Sequence, residues 1–366
     1  MSIPATQKAL LLHKESTPYV VGEAAVHHPG PEEVLVKIMA CALNPVDYAV
    51  VNPPYSQFLI KSWPYISGYD GSGVVVEVGS QVTNVKEGDK VLFPGDSESQ
   101  SLSATFKQYA VVPAYLTAII PDNITFEQAA TIPLAITTDI VALYNQSPAP
   151  ENLSLGLKPF WEPEGATAYA GTPAFIIGGA ASLGQYAIQF AKLAGHNPII
   201  TTASLHNTPL LTSLGATHVV DRTLPKEEVL AQVAKITGGI PLKFAFVAVP
   251  HLDDPEPCRL GRDALAPGGA LAIVLPSPDR VPADVANPGD GKRVGYVYGS
   301  FHLPHTKELG IATYTRLTGW LEKGLLKPNP VEVLPNGLAG IPEGLERIKA
   351  NKVSGKKLVA RPQETP

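Results

Sequence analysis

The fold of this chain is decided by residues 175–190, which read FIIGGAASLGQYAIQF. The three apolar residues Phe175–Ile177 predict a strand that runs directly into a glycine turn and then into an apolar helix pattern. A dinucleotide pyrophosphate binds backbone N–H groups at a helix N-terminus, and glycines permit the tight turn and the close packing of that helix. Gly179 and Gly184 match the first and third glycines of G-x-G-x-x-G, while Ala181 replaces the second. The stretch predicts a dinucleotide site, and the alternative is an ordinary strand–helix turn without a ligand.

Short apolar runs continue to alternate with helical stretches beyond the glycine turn. They predict further strands at Ile199–Thr202, His218–Val220, Phe244–Val249, Leu271–Leu275 and Val294–Tyr298. Strands that alternate with helices are typical of a parallel sheet with helices on both faces. The sequence therefore predicts a Rossmann doubly wound parallel sheet in this part of the chain.

The first third of the chain has a different pattern, in which apolar runs are separated by turn residues and helices are scarce. Strands are predicted at Val34–Ile38, Gly73–Val78, Lys90–Phe93 and Tyr109–Val112. Such segments, punctuated by glycine and proline, indicate a small antiparallel β domain. The predicted fold class is therefore α/β, with a β domain beside a doubly wound parallel sheet.

Composition limits the classes of protein to which the chain can belong. Of its 366 residues 45% are hydrophobic and 17% are charged, which predicts a globular protein, and the length favours two domains. The net charge is −5 and basic runs are no longer than two residues, as at Lys356-Lys357, which argues against a nucleic-acid partner. No segment approaches the roughly 20 apolar residues of a membrane span, and we see no signal peptide. We therefore expect a cytoplasmic protein without a membrane partner.

The segment after the second predicted Rossmann strand favours NADPH over NADH. An NAD site usually offers Asp or Glu to the ribose hydroxyls about 20 residues after the glycine turn. Residues 202–207 read TASLHN instead, so Ser204, His206 and Asn207 provide neutral hydrogen-bonding groups that do not repel a 2′-phosphate. Arg222, after the third strand, can pair with that phosphate directly. The alternative is that His206 lies in an ordinary exposed loop and Arg222 is a surface charge.

Motifs in both parts of the chain resemble those of the medium-chain dehydrogenase/reductase superfamily. They are NPVD at residues 44–47, GYDGSGVVVEVG at 68–79, GDKV at 88–91 and KVSGKKLV at 352–359. Together with the glycine turn, they extend the resemblance over nearly the whole chain. The resemblance implies a GroES-like catalytic domain over residues 1–126, a Rossmann NADP-binding domain over 127–301 with a Pro-rich insertion at about 146–171, and a return to the catalytic domain over 302–366.

The residues at the metal positions of the superfamily have changed. Zinc-dependent members hold the metal with an early Cys and with the His of a Gly-His-Glu motif. Asn44 and Tyr69 stand at the corresponding positions, and neither is a normal zinc ligand. Cys41 and Cys258 are too few for a multi-cysteine site, and Cys41 beside an apolar run is typical of a small core residue. The sequence therefore predicts no metal.

The zinc-free relatives in this superfamily are quinone reductases and enoyl reductases. Both transfer a hydride from a nicotinamide cofactor to an electrophilic carbon conjugated with a carbonyl group. The closer resemblance is to stand-alone, trans-acting enoyl reductases of fungal polyketide pathways. It implies secondary metabolism, an enone or enoyl substrate, a polyketide synthase carrier domain as a candidate partner, and either a monomer or a homodimer.

The resemblance and the glycine turn together define a candidate NADPH site. The expected contacts are Asn44, Pro45, Val46, Asp47, Gly179, Ala180, Ala181, Ser182, Leu183, Gly184, Ser204, His206, Asn207, Arg222, Val249, Val274, Leu275, Val353 and Ser354. Tyr48 is the candidate proton donor, because a phenol in a water-poor site can hydrogen-bond an enolate oxygen. Its alternative is a packed aromatic residue of the β domain. Asp47 is a second catalytic candidate or only braces its segment, and solvent can also supply the proton.

The leading hypothesis is NADPH-dependent, zinc-independent reduction of an activated C=C bond. A quinone reductase is the alternative among enzymes. A catalytically silent NADP-binding protein, with a structural or regulatory role, is the alternative of a different class.

Overall fold

The structure is a computed structural model that describes residues 3–53, 55–96, 102–147, 149, 153–250, 254–274, 281–286 and 289–366. The chain divides into two compact units. The first unit takes in the chain up to Leu134 together with Gly310–Gly324 and Pro328–Pro366. The second takes in Ala135–Leu309 and Leu325–Lys327.

The strands and helices follow the chain in this order. The described strands are β1 (Thr6–Leu12), β2 (Val20–Ala25), β3 (Glu33–Ala42), β4 (Tyr65–Ile66), β5 (Asp70–Val78), β6 (Lys90–Pro94), β7 (Tyr109–Pro113), β8 (Ala118–Ile119), β9 (Ala174–Ile177), β10 (Ile199–Ala203), β11 (His218–Asp221), β12 (Phe244–Val247), β13 (Ala270–Ile273), β14 (Arg293–Tyr296), β15 (Val331–Val333) and β16 (Lys357–Ala360). The described α-helices are α1 (Pro45–Ala49), α2 (Tyr55–Leu59), α3 (Phe126–Ala129), α4 (Pro133–Tyr144), α5 (Ser182–Leu193), α6 (Thr208–Leu214), α7 (Lys226–Thr237), α8 (Glu256–Ala264), α9 (Ala283–Ala286), α10 (Lys307–Glu322) and α11 (Ile341–Lys349).

The second unit is built on a parallel sheet of the order β11-β10-β9-β12-β13-β14, which confirms the predicted doubly wound class. This order places β9 and β12 side by side at the point where the winding reverses, and ligands of such sheets bind at the carboxyl ends of the strands there. Phe175, Ile177, Ala245 and Val247 on these two strands are buried in one apolar cluster. This packing holds β9 and β12 in place, and the glycine turn begins at the carboxyl end of β9.

Three of the predicted strands continue too far. β12, β13 and β14 end at Val247, Ile273 and Tyr296, two residues before the ends predicted from the apolar pattern. At β12 the reason is local, because Val249 precedes Pro250, which has no N–H to continue the ladder. Apolar residues continue past the end of β12, as at Val249. Leu275, the predicted end of β13, lies outside the described residues.

The first unit contains two mostly antiparallel sheets. One has the order β2-β1-β4, and the other has the order β15-β16-β3-β5-β6-β8 with β7 also paired to β3. The C-terminal strand β16 pairs with β3 through Val359 and Ala42, so the end of the chain returns to this unit. The sequence analysis predicts neither β1 nor β2, and β2 is mostly exposed, so it has no buried apolar run to mark it.

The described part of the Pro-rich insertion is held against the second unit. Leu153 N–H donates to the carbonyl oxygen of Tyr296 on β14 at 3.0 Å, and Leu155 N–H donates to that of Ala142 on α4 at 2.9 Å. Phe160 is 8% exposed and its ring lies 6.0 Å from that of Phe190 on α5. Among the described helices, none combines the length and the apolar character needed to cross a membrane.

Candidate functional site

The glycine turn joins β9 to α5 at the carboxyl edge of the parallel sheet. Gly178 has a φ of +86°, a region that residues with a side chain rarely adopt. Its N–H donates to Thr202 Oγ1 at 3.1 Å, and the N–H of Gly179 donates to the carbonyl oxygen of Thr202 at 3.0 Å. These bonds hold the turn against β10, so the chain enters α5 at a fixed position.

Close packing around the turn requires three glycines. A methyl group at Gly184 would overlap the carbonyl oxygen of Gly178 and lie 2.7 Å from the Cα atom of Gly179. A methyl group at Gly179 would overlap Thr201 Oγ1, and one at Gly178 would overlap a methyl group of Val249. The sequence pattern identified Gly179 and Gly184 and missed Gly178, which the positive φ makes equally necessary.

The first turn of α5 offers backbone donors to an anion. The residue before the helix is Ala181, which has no side-chain oxygen to accept a hydrogen bond from the N–H groups of that turn. Such groups, with the positive end of the helix dipole, attract a negatively charged group. The N–H of Ala181 donates to the carbonyl oxygen of Gly178 at 3.0 Å, so the donors that suit a pyrophosphate are backbone N–H groups of the other residues of 180–184, which include the predicted Ala180, Ser182 and Leu183.

Two further predicted contacts lie at the ends of neighbouring strands. Val249 follows β12 by two residues and stands where a side chain on Gly178 would have to fit. Val274 directly follows β13 and is half-buried. Both residues thus lie at the carboxyl edge that carries the glycine turn.

Ser204 and Arg222 meet beyond the ends of β10 and β11. Arg222 Nε donates to Ser204 Oγ at 2.9 Å, and the Arg222 N–H donates to the carbonyl oxygen of Ala203 at 3.1 Å. Arg222 is exposed, and its guanidinium has further N–H donors that can bind a phosphate while Nε stays on Ser204. The neighbouring carboxylate of Asp221 accepts hydrogen bonds from Thr223, and these bonds lower the pKa of Asp221.

His206 and Asn207 have different surroundings on the turn that follows Ser204. His206 is exposed, whereas Asn207 is 6% exposed and its N–H donates to the carbonyl oxygen of Ser204 at 3.0 Å. His206 is thus on the surface beside Ser204, and Asn207 closes the turn from the buried side.

The NPVD motif forms the start of α1 in the first unit. Asp47 is fully buried, its Oδ2 accepts the N–H of Asn44 at 2.8 Å, and its Oδ1 accepts the hydroxyl of Ser67 at 2.7 Å. The Tyr19 hydroxyl donates to the Asp47 carbonyl oxygen at 2.9 Å. Burial raises the pKa of Asp47 to about 7, although both hydrogen bonds to its carboxylate oppose the rise. Both carboxylate oxygens are therefore engaged in holding this segment.

A buried ion pair lies next to the same segment. Asp70 Oδ2 accepts from Asn44 Nδ2 at 2.7 Å and from Lys357 Nζ at 2.5 Å, and Asp70 Oδ1 accepts the N–H of Leu134 at 2.7 Å. Asp70 is 0% exposed and Lys357 is 4% exposed. Sequence reasoning assigns neither residue a role. The available signal for each is a charged residue at the first position of a strand, since Asp70 begins β5 and Lys357 begins β16.

The remaining predicted residues of the first unit lie at or near the surface. Tyr48 is half-buried and lines a pocket of about 450 Å³ with the loop of residues 16–19, the residues after α1, and α11. Burial raises the pKa of Tyr48, so its hydroxyl keeps its proton at neutral pH. Pro45 is exposed and Val46 is half-buried on α1, while Val353 is half-buried and Ser354 is exposed just before β16.

The residues at the metal positions do not fit a zinc ion. The amide of Asn44 is bound to Asp70, and the hydroxyl of Tyr69 lies 3.3 Å from that of Tyr65. Cys41 is fully buried in β3, and this burial raises the pKa of its thiol well above the usual value, which disfavours a ligating thiolate. Within the described part of the chain, no group of three or more His, Cys, Asp and Glu side chains could hold a metal.

Comparison with known proteins gives two family matches along the chain. Residues 30–122 match the alcohol dehydrogenase GroES-like domain, which confirms the predicted character of the β domain, and residues 182–299 match the zinc-binding dehydrogenase family.

Individual relatives extend over nearly the full length. The dehydrogenase azaJ of Aspergillus niger is 31% identical over 97% of this chain and 98% of its own. A trans-enoyl reductase of Gibberella fujikuroi is 29% identical over 90% of this chain and 92% of its own. The solved quinone oxidoreductase from Coxiella burnetii has a TM-score of 0.72 at 24% identity and covers 97% of this chain and 98% of its own, so it shows a common fold.

Proposed function

Because the chain belongs to the medium-chain dehydrogenase/reductase superfamily, we propose that it is an NADPH-dependent, zinc-independent oxidoreductase that reduces a C=C bond conjugated with a carbonyl group. The observation that carries this proposal is the glycine turn beside the exposed Arg222–Ser204 pair. We further propose an enone or enoyl substrate of secondary metabolism and, on the grounds of sequence given above, a cytoplasmic location.

The second unit supplies groups that suit each charged part of NADPH. Residues 180–184 would hold the pyrophosphate through backbone N–H groups at the start of α5, and the three glycines let the turn and this helix pack closely on the neighbouring strands. Arg222 would bind the 2′-phosphate, with Ser204 fixing the guanidinium and His206 exposed nearby. An acidic residue at the end of β10 would repel that phosphate, and Ser204 stands there instead. When bound, the cofactor supplies the hydride.

Zinc is not part of the proposed chemistry, because Asn44 and Tyr69 are committed to hydrogen bonds with Asp70 and Tyr65. Alcohol oxidation needs a Lewis acid or a base to stabilise an alkoxide, whereas conjugate reduction leaves its charge delocalised over an enolate. The protein must then orient the reactants, exclude water and provide a proton for the enolate.

We propose that the proton added to the enolate comes from Tyr48 or from solvent. The raised pKa of Tyr48 keeps the hydroxyl protonated, so it can hydrogen-bond and then protonate an enolate. Asp47 acts instead as a positioning residue, because both of its oxygens accept hydrogen bonds from Asn44 and Ser67. In this assignment Tyr48→Phe lowers kcat at least tenfold if the phenol is the donor. An unchanged kcat assigns the proton to solvent.

Similarity to proteins named trans-enoyl reductases supports the substrate class. In this reading the substrate is an enoyl thioester, and the partner that presents it is a polyketide synthase carrier domain. In an assay, a free small-molecule enone can replace the carrier-bound enoyl thioester.

Purified full-length protein treated with EDTA tests the proposal. We expect NADPH absorbance at 340 nm to fall with 2-enoyl thioesters or enones. Turnover of quinones alone would identify a quinone reductase instead. The solved quinone oxidoreductase to which this chain is similar is 24% identical and shows only a common fold. Tight NADPH binding without turnover of the whole panel would identify a silent NADP-binding protein, and no binding of NADPH would refute all three.

A further inference from the structure

We propose that the pocket of about 450 Å³ beside Tyr48 binds a small molecule that has an apolar body and a positively charged amine. All the residues that line this pocket belong to the first unit, so the site is complete within that unit. The inference goes beyond the proposed function, because reduction of a conjugated C=C bond requires no amine and the binding is measured without NADPH.

Hydrogen bonds fasten the loop that forms one wall of the pocket to α1 and to the residues after it. Ser16 N–H donates to the carbonyl oxygen of Val51 at 2.9 Å, and the Ser16 hydroxyl donates to Asn52 Oδ1 at 2.9 Å. The Tyr19 hydroxyl donates to the carbonyl oxygen of Asp47 at 2.9 Å. This wall is therefore held in place before a ligand binds, and a ligand has little ordering of the protein to bring about.

The most buried residues of the lining are apolar or aromatic. Leu345 on α11 is 3% exposed and Tyr19 is 7% exposed, and the half-buried Val51 and Pro342 line the same pocket. A volume of about 450 Å³ is within the range of small-molecule sites. Burial of an alkyl chain or a ring against these residues would supply most of the driving force, since removal of apolar surface from water is the main favourable contribution to such binding.

The exposed side of the pocket has an excess of negative charge. Glu343 and Glu346 on α11 are exposed, and against these two carboxylates the lining has one ammonium, that of Lys349. None of the three side chains forms an ion pair with a described residue, and the Tyr48 hydroxyl has no hydrogen-bond partner among them. The faces of aromatic rings such as those of Tyr19 and Tyr48 attract cations. The charges and rings therefore favour an amine over a neutral or a negatively charged group.

Isothermal titration calorimetry of the full-length protein with octylammonium tests the inference. Octan-1-ol and octanoate are the comparison ligands, because they carry the same chain with a neutral or a negative group at its end. At low ionic strength we expect a Kd of roughly 0.1–1 mM for octylammonium. Octan-1-ol should bind about fivefold more weakly and octanoate at least tenfold more weakly, because the two carboxylates attract only the amine.

Substitutions at exposed positions of α11 test whether the amine binds in this pocket. The double variant Glu343→Gln with Glu346→Gln should weaken octylammonium binding about fivefold and leave the Kd for octan-1-ol within about twofold, because only the attraction of charges is lost. Lys349→Gln should have the opposite effect and strengthen octylammonium binding about twofold. Glu322→Gln is the matched control, because Glu322 is exposed at the end of α10 in the same unit and does not line the pocket.

The apolar part of the pocket has its own variant. Val51→Trp places a larger side chain in the lining, so octylammonium and octan-1-ol should both bind at least tenfold more weakly. Circular dichroism verifies that this variant is folded. If it is not folded, the exposed double variant decides, because its substitutions alter no buried residue.

Three results would overturn the inference. They are the absence of octylammonium binding to the wild type, equal affinity for octylammonium and octanoate, and an unchanged Kd for octylammonium in the double variant. Because the titrations contain no NADPH, these results are independent of those that test the proposed function.

Discussion

The proposed preference for NADPH can be tested at Arg222, where the substitution Arg222→Gln removes the positive charge and keeps a polar side chain. Arg222 donates through Nε to Ser204 at 2.9 Å and is otherwise exposed. Hydrogen bonds to charged groups contribute about 1.5–3 kcal/mol, and the exposure of this arginine favours the lower end of that range. We therefore expect the Kd for NADPH to rise roughly tenfold.

The Kd for NADH should stay within about twofold of the wild-type value, because NADH has no 2′-phosphate for the arginine to bind. Fluorescence titration of both cofactors measures the two constants. Arg316→Gln is the control, because Arg316 is exposed on α10 and its guanidinium donates to the Ala312 carbonyl of the same helix. An unchanged Kd for NADPH in Arg222→Gln, or equal losses for NADPH and NADH, would refute the assignment of Arg222.

Three further predictions follow from the packing. Gly184→Ala should weaken NADPH binding at least tenfold and lower the free energy of unfolding by about 1–3 kcal/mol, because the new methyl group meets the backbone of the glycine turn. Gly319→Ala is the control: a methyl group there has no atom within 4 Å, so it should leave NADPH binding unchanged and, inside helix α10, raise the free energy of unfolding by about 0.5–1 kcal/mol. Asp139 is fully buried, neither carboxylate oxygen has a hydrogen-bond partner among the described residues, and burial raises its pKa well above the usual value. The folded protein therefore holds a proton that the unfolded chain releases, so the free energy of unfolding falls as pH rises above the usual Asp pKa. In urea unfolding, Asp139→Asn should exceed the wild type in free energy of unfolding by more at pH 8 than at pH 5. An equal difference at both pH values would contradict this. Light scattering should give a monomer of 38.7 kDa, because the N–H of Leu153 donates to the carbonyl oxygen of Tyr296 on the edge strand β14 and a second copy could not pair with that carbonyl. A stable dimer that pairs two copies of β14 would contradict this expectation.

The fold was predictable from the sequence because its main signals are local. The alternation of short apolar runs with helical stretches identifies each strand of the parallel sheet, and the strand predicted at Phe175–Ile177 is β9, which begins one residue earlier at Ala174. Ends of strands were less predictable, since apolar residues continue past β12 to Val249, where the following proline ends the ladder. β1 (Thr6–Leu12) is absent from the prediction because only its second half, Ala9–Leu12, is a continuous apolar run.

The candidate site was predictable where its residues follow a strand in sequence. Gly179 and Gly184 belong to one motif, and the proximity of Ser204 to Arg222 follows from adjacent parallel strands. The ion pair between Asp70 and Lys357 joins residues 287 positions apart, so no local pattern connects them. Such a pair becomes visible only when the C-terminal strand returns to the sheet of the first unit.

Transfer of deuterium from NADPH labelled at C4 of the nicotinamide would show directly whether the protein delivers a hydride to a conjugated C=C bond. Full-length protein treated with EDTA would be given the labelled cofactor and a 2-enoyl thioester, and the product would be examined by mass spectrometry and NMR. We predict a saturated thioester with deuterium on the β-carbon, a proton derived from solvent on the α-carbon, and one NADP⁺ formed per product. Deuterium at the carbonyl carbon of an alcohol product, or activity that appears only when zinc is added, would contradict it.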